Sequence, residues 1–262
     1  MWSISFGGGA ARLHRMRRDR EAFDIVLLSM VVGRDTLGRN YGGSGWSQET
    51  DRRAAEDGLI LLSGHSLSAQ DLAELAARLD RLDEVRPTVA REYRLGDAME
   101  RLEALEGSLK GWEHSEPLEA GVRHLFLPSV ALAAALGDIE DAYRSLQDVE
   151  KGPAAGRFEA AEGLGPPWRR GQAPGTCLVP TNNRYYEESL TLGRLSLLRT
   201  AVAVAWHEAD TGTRAGCFED LVPKYLSRVP QPCSSEETWG CSAGILTIKT
   251  PRGEQQVPVK RR

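Results

Sequence analysis

The first 176 residues of this 262-residue chain contain no cysteine; all four thiols, Cys177, Cys217, Cys233 and Cys241, fall in the last 86. An even number gathered at one end suggests two disulfides and an oxidising compartment. Cys233 and Cys241 enclose a seven-residue loop suited to closure, with Cys177 and Cys217 as the residual pair. Three connectivities remain open, and four reduced, half-buried thiols are the alternative. No C-x-x-C element is present, which argues against a zinc site, and no cofactor or other metal is expected.

Long apolar runs are also lacking. Residues 25–33 and 125–137 fall short of the roughly 18 apolar residues that a membrane span requires. There is no excess of positive charge: a net charge of −4 argues against general nucleic-acid binding, which favours a basic surface. The signatures of several reactions are missing too. Gly42-Gly43-Ser44-Gly45 lacks the lysine and spacing of a phosphate loop and reads as a connection. His207-Glu208 lacks the second histidine of a zinc protease and reads as a histidine at a helix end. His65, in the polar turn Ser63-Gly64-His65-Ser66, is of the residue type that serves as a general base, but no nucleophile motif accompanies it. Asp71, Glu74, Asp80, Asp83 and Glu84 read as solvated helix faces and do not single out a converging pair.

What is present is mainly helical. Hydrophobic residues at 41% and charged residues at 27% suit a globular chain with one large core or two modest ones. Residues 12–32 read as one helix, basic first and apolar second. Arg12, Arg15, Arg17, Arg18 and Arg20 have the look of a charged leader, interrupted by Glu21 and Asp24 where an apolar region would have to lie. The expectation is a cytosolic chain or a true start upstream of Met1. Residues 33–47 are glycine-rich and read as a loop, followed by a helix over 50–62. Ser68 with Asp71 three residues on is an acidic capping box. It opens a helix with Leu72, Leu75, Leu79 and Leu82 on one face, ended by Arg86-Pro87. Further helices are expected over 89–109 and 129–149.

Residues 151–186 are rich in glycine and proline and read as an irregular linker between an α-helical array (1–150) and a second module (187–262). Aromatic and basic residues interleave there, so Trp168, Arg169, Arg170, Tyr185 and Tyr186 are the candidate contacts for a protein partner. The helix resuming at Glu187 is apolar almost all round from Leu195 to Trp206, which asks for burial on several sides. Residues 244–249 read as a β-strand.

The order of the tail carries a resemblance. A helix over 195–207 is followed by Gly212, then Phe218-Glu219-Asp220-Leu221-Val222-Pro223-Lys224-Tyr225-Leu226 and Val229-Pro230. This resembles the tail of type II secretion pseudopilins, and more closely that of large helical proteins of planctomycetes and myxobacteria ending in such a module. The resemblance covers about residues 187–249 and implies a helix plus a short antiparallel sheet. The chain departs from the pattern at Thr213-Arg214-Ala215 and at Gln231-Pro232-Cys233, where tyrosine-proline and aspartate-proline are expected. Relatives often hold calcium with acidic loop residues, and calcium takes six to eight oxygens. Here only Glu236 and Glu237 are available, which implies that a Cys233–Cys241 bridge replaces the metal.

The expectation is therefore a mainly α protein: an N-terminal helical array, then a small α+β module of long helix and short sheet. Its expected role is non-enzymatic, a structural or protein-interaction component of the bacterial cell envelope or periplasm, with a link to secretion or surface assembly. The alternatives are a cytoplasmic helical scaffold that binds a protein partner, and an enzyme of unknown class using His65. No oligomeric state is implied.

Overall fold

A computed structural model describes residues 6–35, 46–92, 137, 140–164, 181–233, 238–242, 245–250 and 253–256. The first surprise is a break. Residues 12–32, expected as one helix, form two: α1 (Phe6–Arg15) and α2 (Asp19–Asp35). The stop is a Schellman motif. Arg17 sits at φ 61, its amide donates to His14 O at 2.9 Å, and the Arg18 amide donates to Leu13 O at 3.0 Å. Sequence reading missed it because the left-handed position is filled by arginine where glycine is usual.

α2 continues through Gly33 to Asp35, three residues into the segment read as loop, and α3 (Trp46–Leu62) begins four residues earlier than expected. The rest of that glycine-rich stretch lies outside the described residues. Gly33 stands where α2 meets α3: a Cβ there would lie 2.7 Å from Thr50 Cγ2. α4 (Ala69–Glu84) follows its local signals closely. Ser68 Oγ accepts from the Asp71 amide, the Asp71 carboxylate accepts from the Ser68 amide, and the helix ends at Val85. Leu72, Leu75 and Leu79 are buried, with Leu82 partly buried against the same core.

The chain divides into two compact units that do not follow the sequential division expected. The first comprises residues 1–35, 47–86 and 187–262. Its core joins Phe23, Val26 and Met30 of α2 to Ala54 and Leu61 of α3, the leucines of α4, and Leu198, Val202 and Val204. Those last three belong to a long helix, Thr181–Thr211, which extends the 187–207 helix at both ends. The helix terminates at Gly212, φ +72, whose amide donates to Glu208 O at 2.9 Å. Phe218, Leu221, Tyr225 and Ile248 complete the same core. The 187–262 segment is thus packed into the N-terminal helices, because a helix apolar almost all round from Leu195 to Trp206 needs them for cover.

The tail ends in an antiparallel sheet of order β1-β2-β3, with β1 Thr238–Ser242, β2 Ile245–Thr250 and β3 Gly253–Gln256. Thr238 pairs with Lys249 and Cys241 with Leu246. The expected class, mainly helical with a small C-terminal antiparallel sheet, is the one observed.

The second unit comprises residues 36–46 and 87–186. Of the helices expected over 89–109 and 129–149, Val89–Glu92 and residues 140–150 are helical, the remainder lying mostly outside the described residues. The stretch read as linker contains a 3₁₀ turn, Ala154–Gly156, and a helix, Arg157–Gly163. Val89, Ala90, Leu146, Ala161 and Tyr185 form its core.

Candidate functional site

Charge inside the first unit is used to fasten helices. Arg34 and Asp51 are both buried, their side chains 8% and 3% exposed. Arg34 Nε donates to Asp51 Oδ2 at 3.0 Å and Nη2 to the same oxygen at 2.6 Å, while Nη1 donates to Leu82 O. One guanidinium therefore ties α2 to α3 and to the end of α4. Burial pushes the Asp51 carboxyl up, outweighing the pull of Arg34.

Asp19, also buried, is a second hub. It accepts from Ser66 Oγ at 2.6 Å, from the Ser66 amide at 2.7 Å, and from His14 Nδ1 at 2.5 Å. The α1–α2 turn is thereby pinned to the loop between α3 and α4. Burial works to raise this carboxyl, but the Ser66 and His14 donors together outweigh it and hold it low. Arg86 and Glu188 add a shielded pair at 3.1 Å, and Arg199 reaches both Asp80 and Asp83.

In the tail, Asp210 accepts from Lys224 Nζ and from Tyr225 OH, each at 2.6 Å. The Asp210 bond raises the Tyr225 phenol. Trp206 and His207 meet the Tyr225 ring edge-on at 5.0 and 5.1 Å. His207 Nδ1 lies 3.0 Å from Thr213 O, a contact that closes the helix end. Asp220 Oδ2 accepts from the amides of Gly216 and Cys217.

Among the described residues, those singled out from sequence are not brought together. Trp168, Arg169, Arg170 and Cys177 lie outside the described residues. Tyr185 is a core residue, 1% exposed, donating its hydroxyl to Leu146 O at 3.2 Å, so it offers nothing to a partner. Its neighbour Tyr186 is 37% exposed and packs edge-on against Phe158. Cys217 carries a thiol held up by its bond to Glu219. Cys233 is buried, its Sγ 3.7 Å from Gln231 O. Cys241 stands in β1, and its side chain is outside the described residues. No disulfide joins the described cysteines. His65 is also turned inward, 5% exposed, its Nδ1 accepting from the Leu67 amide at 3.2 Å. That bond uses the nitrogen lone pair a general base would need.

Among the described residues no group of histidine, cysteine, aspartate and glutamate has metal-binding geometry, and no helix is long and apolar enough to cross a membrane. Sequence reading took the arginines at the end of α1 for a charged leader and did not weigh them as a surface. There Arg12, Arg15, Met16 and Arg17 all face solvent. The signal was visible as a cluster of arginines in a chain of net negative charge. No protein family, curated protein or solved structure matches the chain.

Proposed function

We propose that this chain is a non-enzymatic structural or protein-interaction component of the bacterial cell envelope, with a link to secretion or surface assembly. The carrying observation is how the buried charge is used. Asp51 closes on Arg34, Asp19 on Ser66 and His14, and Glu188 on Arg86. Each network crosses between separate segments of the first unit. A catalytic centre presents such groups to a cleft with reactive capacity to spare; here they hold helices in place, as a rigid scaffold for other proteins requires.

The envelope part is supported by the gathering of cysteines toward the C-terminus and by the helix-then-sheet order shared with pseudopilin-like tails. A Cys233–Cys241 bridge would close the short connection into β1. Non-reducing peptide mapping of the protein isolated from its native host tests this. Linked Cys233 and Cys241 peptides are the expected result. Four free thiols would overturn the envelope assignment and leave a cytoplasmic scaffold.

A further inference from the structure

We infer that the exposed basic end of α1 is a docking surface for an acidic polypeptide segment of a protein partner. The inference rests on the protein-interaction reading and names the chemistry of the partner. Residues 6–20 carry five arginines and a single aspartate, within a chain of net charge −4. The aspartate, Asp19, is buried and turned to Ser66 and His14. Arg18 is held by Glu21, and Arg20 by Asp71 and Glu74.

Arg12, Arg15 and Arg17 differ. All three are exposed, and among the described residues none has a carboxylate partner. Arg15 Nε reaches only Ala11 O, and Arg17 Nη1 only Gly64 O, each at 3.4 Å. Elsewhere in the first unit Arg34, Arg52, Arg53, Arg78, Arg86 and Arg199 have carboxylate partners, whereas Arg81, Arg214 and Arg228, also exposed and without one among the described residues, are scattered singly along the chain. Three guanidinium forks without carboxylates, within six residues of chain, offer bidentate sites for carboxylates.

The shape of the face decides the class of partner. Arg12, Arg15 and Met16 lie at helical spacing with Gly8 and Ala11, all exposed. A Cβ at Gly8 would meet nothing within 4 Å. A helix that lies in a lipid surface presents several bulky apolar residues opposite its basic face. Met16, 55% exposed, is the one bulky apolar side chain that α1 and its turn expose among the described residues. A low face with arginines at its edge suits a polypeptide laid along it, carboxylates meeting Arg12 and Arg15, and an apolar side chain resting on Met16.

Fluorescence anisotropy of the full chain with a labelled glutamate-rich helical peptide tests this, alongside co-sedimentation with phosphatidylglycerol vesicles. The variants are Arg12→Gln/Arg15→Gln/Arg17→Gln and, as a control exposed elsewhere, Arg53→Gln. The expected result is salt-sensitive peptide binding, weakened about tenfold or more by the triple change and untouched by Arg53→Gln. Circular dichroism confirms that the triple variant is folded; Arg12→Glu/Arg15→Glu, which leaves the turn intact, is the second variant. Failure of the peptide to bind, or equal binding by wild type and triple variant, would overturn the inference. Binding to vesicles without binding to peptide would replace it with a lipid surface. Cross-linking in the host that captures one partner equally with both proteins would keep the protein-interaction reading and discard this surface.

Discussion

Arg17 occupies a backbone conformation that costs an L-residue roughly 1–2 kcal/mol. Its φ of 61 is imposed by the Schellman bonds to Leu13 and His14. Arg17→Gly should therefore raise stability by about 0.5–1 kcal/mol, the released strain exceeding the extra freedom of the unfolded chain. A thermal melt that moved downward would show that the Arg17 side chain holds the turn. Arg34 and Asp51 lend themselves to a sharper test. Removing one partner, as in Asp51→Asn, leaves a guanidinium buried without its counter-charge and should cost about 3–5 kcal/mol. Replacing both, as in Arg34→Met/Asp51→Leu, should cost much less, because burial already works against the Asp51 carboxylate. Denaturant titration of the single and double variants measures the difference. Asp19 sets the acid limb. Its carboxyl is held low in the fold, so its contribution is present above the ordinary carboxylate pKa, about 3.9, and lost as pH falls through the lower folded value. Asp19→Asn should be less stable at neutral pH and show a shallower loss on acidification, read from urea midpoints at stepped pH. Parallel curves for wild type and variant would remove Asp19 from that role.

Elements were legible where their signals are local. Ser68 and Asp71 announce the start of α4, and the leucine spacing fixes its buried face, because both lie within a turn or two of chain. The long helix was visible from its apolar run, and β2 from residues 244–249. What joins these elements was not visible. Arg34 finds Asp51 seventeen residues away, and nothing in either neighbourhood marks the pair. The glycines that let helices approach look like helix-weakening residues in a linear reading. Gly33 illustrates the difference: a methyl there would stand 2.7 Å from Thr50 Cγ2 and 2.8 Å from Thr50 Cβ. The ~1 kcal/mol that alanine gains in helix propensity is smaller than the overpacking cost, typically 1–3 kcal/mol. Gly33→Ala should thus destabilise by up to about 2 kcal/mol, with partial recovery in Gly33→Ala/Thr50→Gly. Full stability in the single variant, measured by denaturant unfolding, would mean that α2 and α3 can move apart without loss. The candidate site was the least legible part. Of the aromatic residues chosen from sequence, Tyr185 went to a core because its ring fills space and its hydroxyl finds Leu146 O, a choice that depends on distant chain.

At the scale of the molecule the consequential feature is that the first unit is discontinuous. Its core draws on residues before 86 and after 187, so neither part carries a complete apolar surface to bury. A fragment of residues 1–150 lacks Leu198, Val202 and Val204, and a fragment of 187–262 leaves those same residues exposed on a helix that is apolar almost all round from Leu195 to Trp206. Neither fragment should melt cooperatively alone, since helical stability of this kind comes from packing more than from propensity. The interrupting segment can be removed instead. Arg86 Nη2 lies 3.1 Å from Glu188 Oε1, which brings the two ends of that segment within a short linker's reach. A chain in which residues 87–186 are replaced by a flexible Gly/Ser linker should therefore keep a single cooperative transition, because closing a short loop adds little entropy cost. Circular dichroism melts of the two fragments and of the linked chain decide the matter. Cooperative melting of the 187–262 fragment by itself would restore the tail as an independent module and separate it from the α2–α4 core.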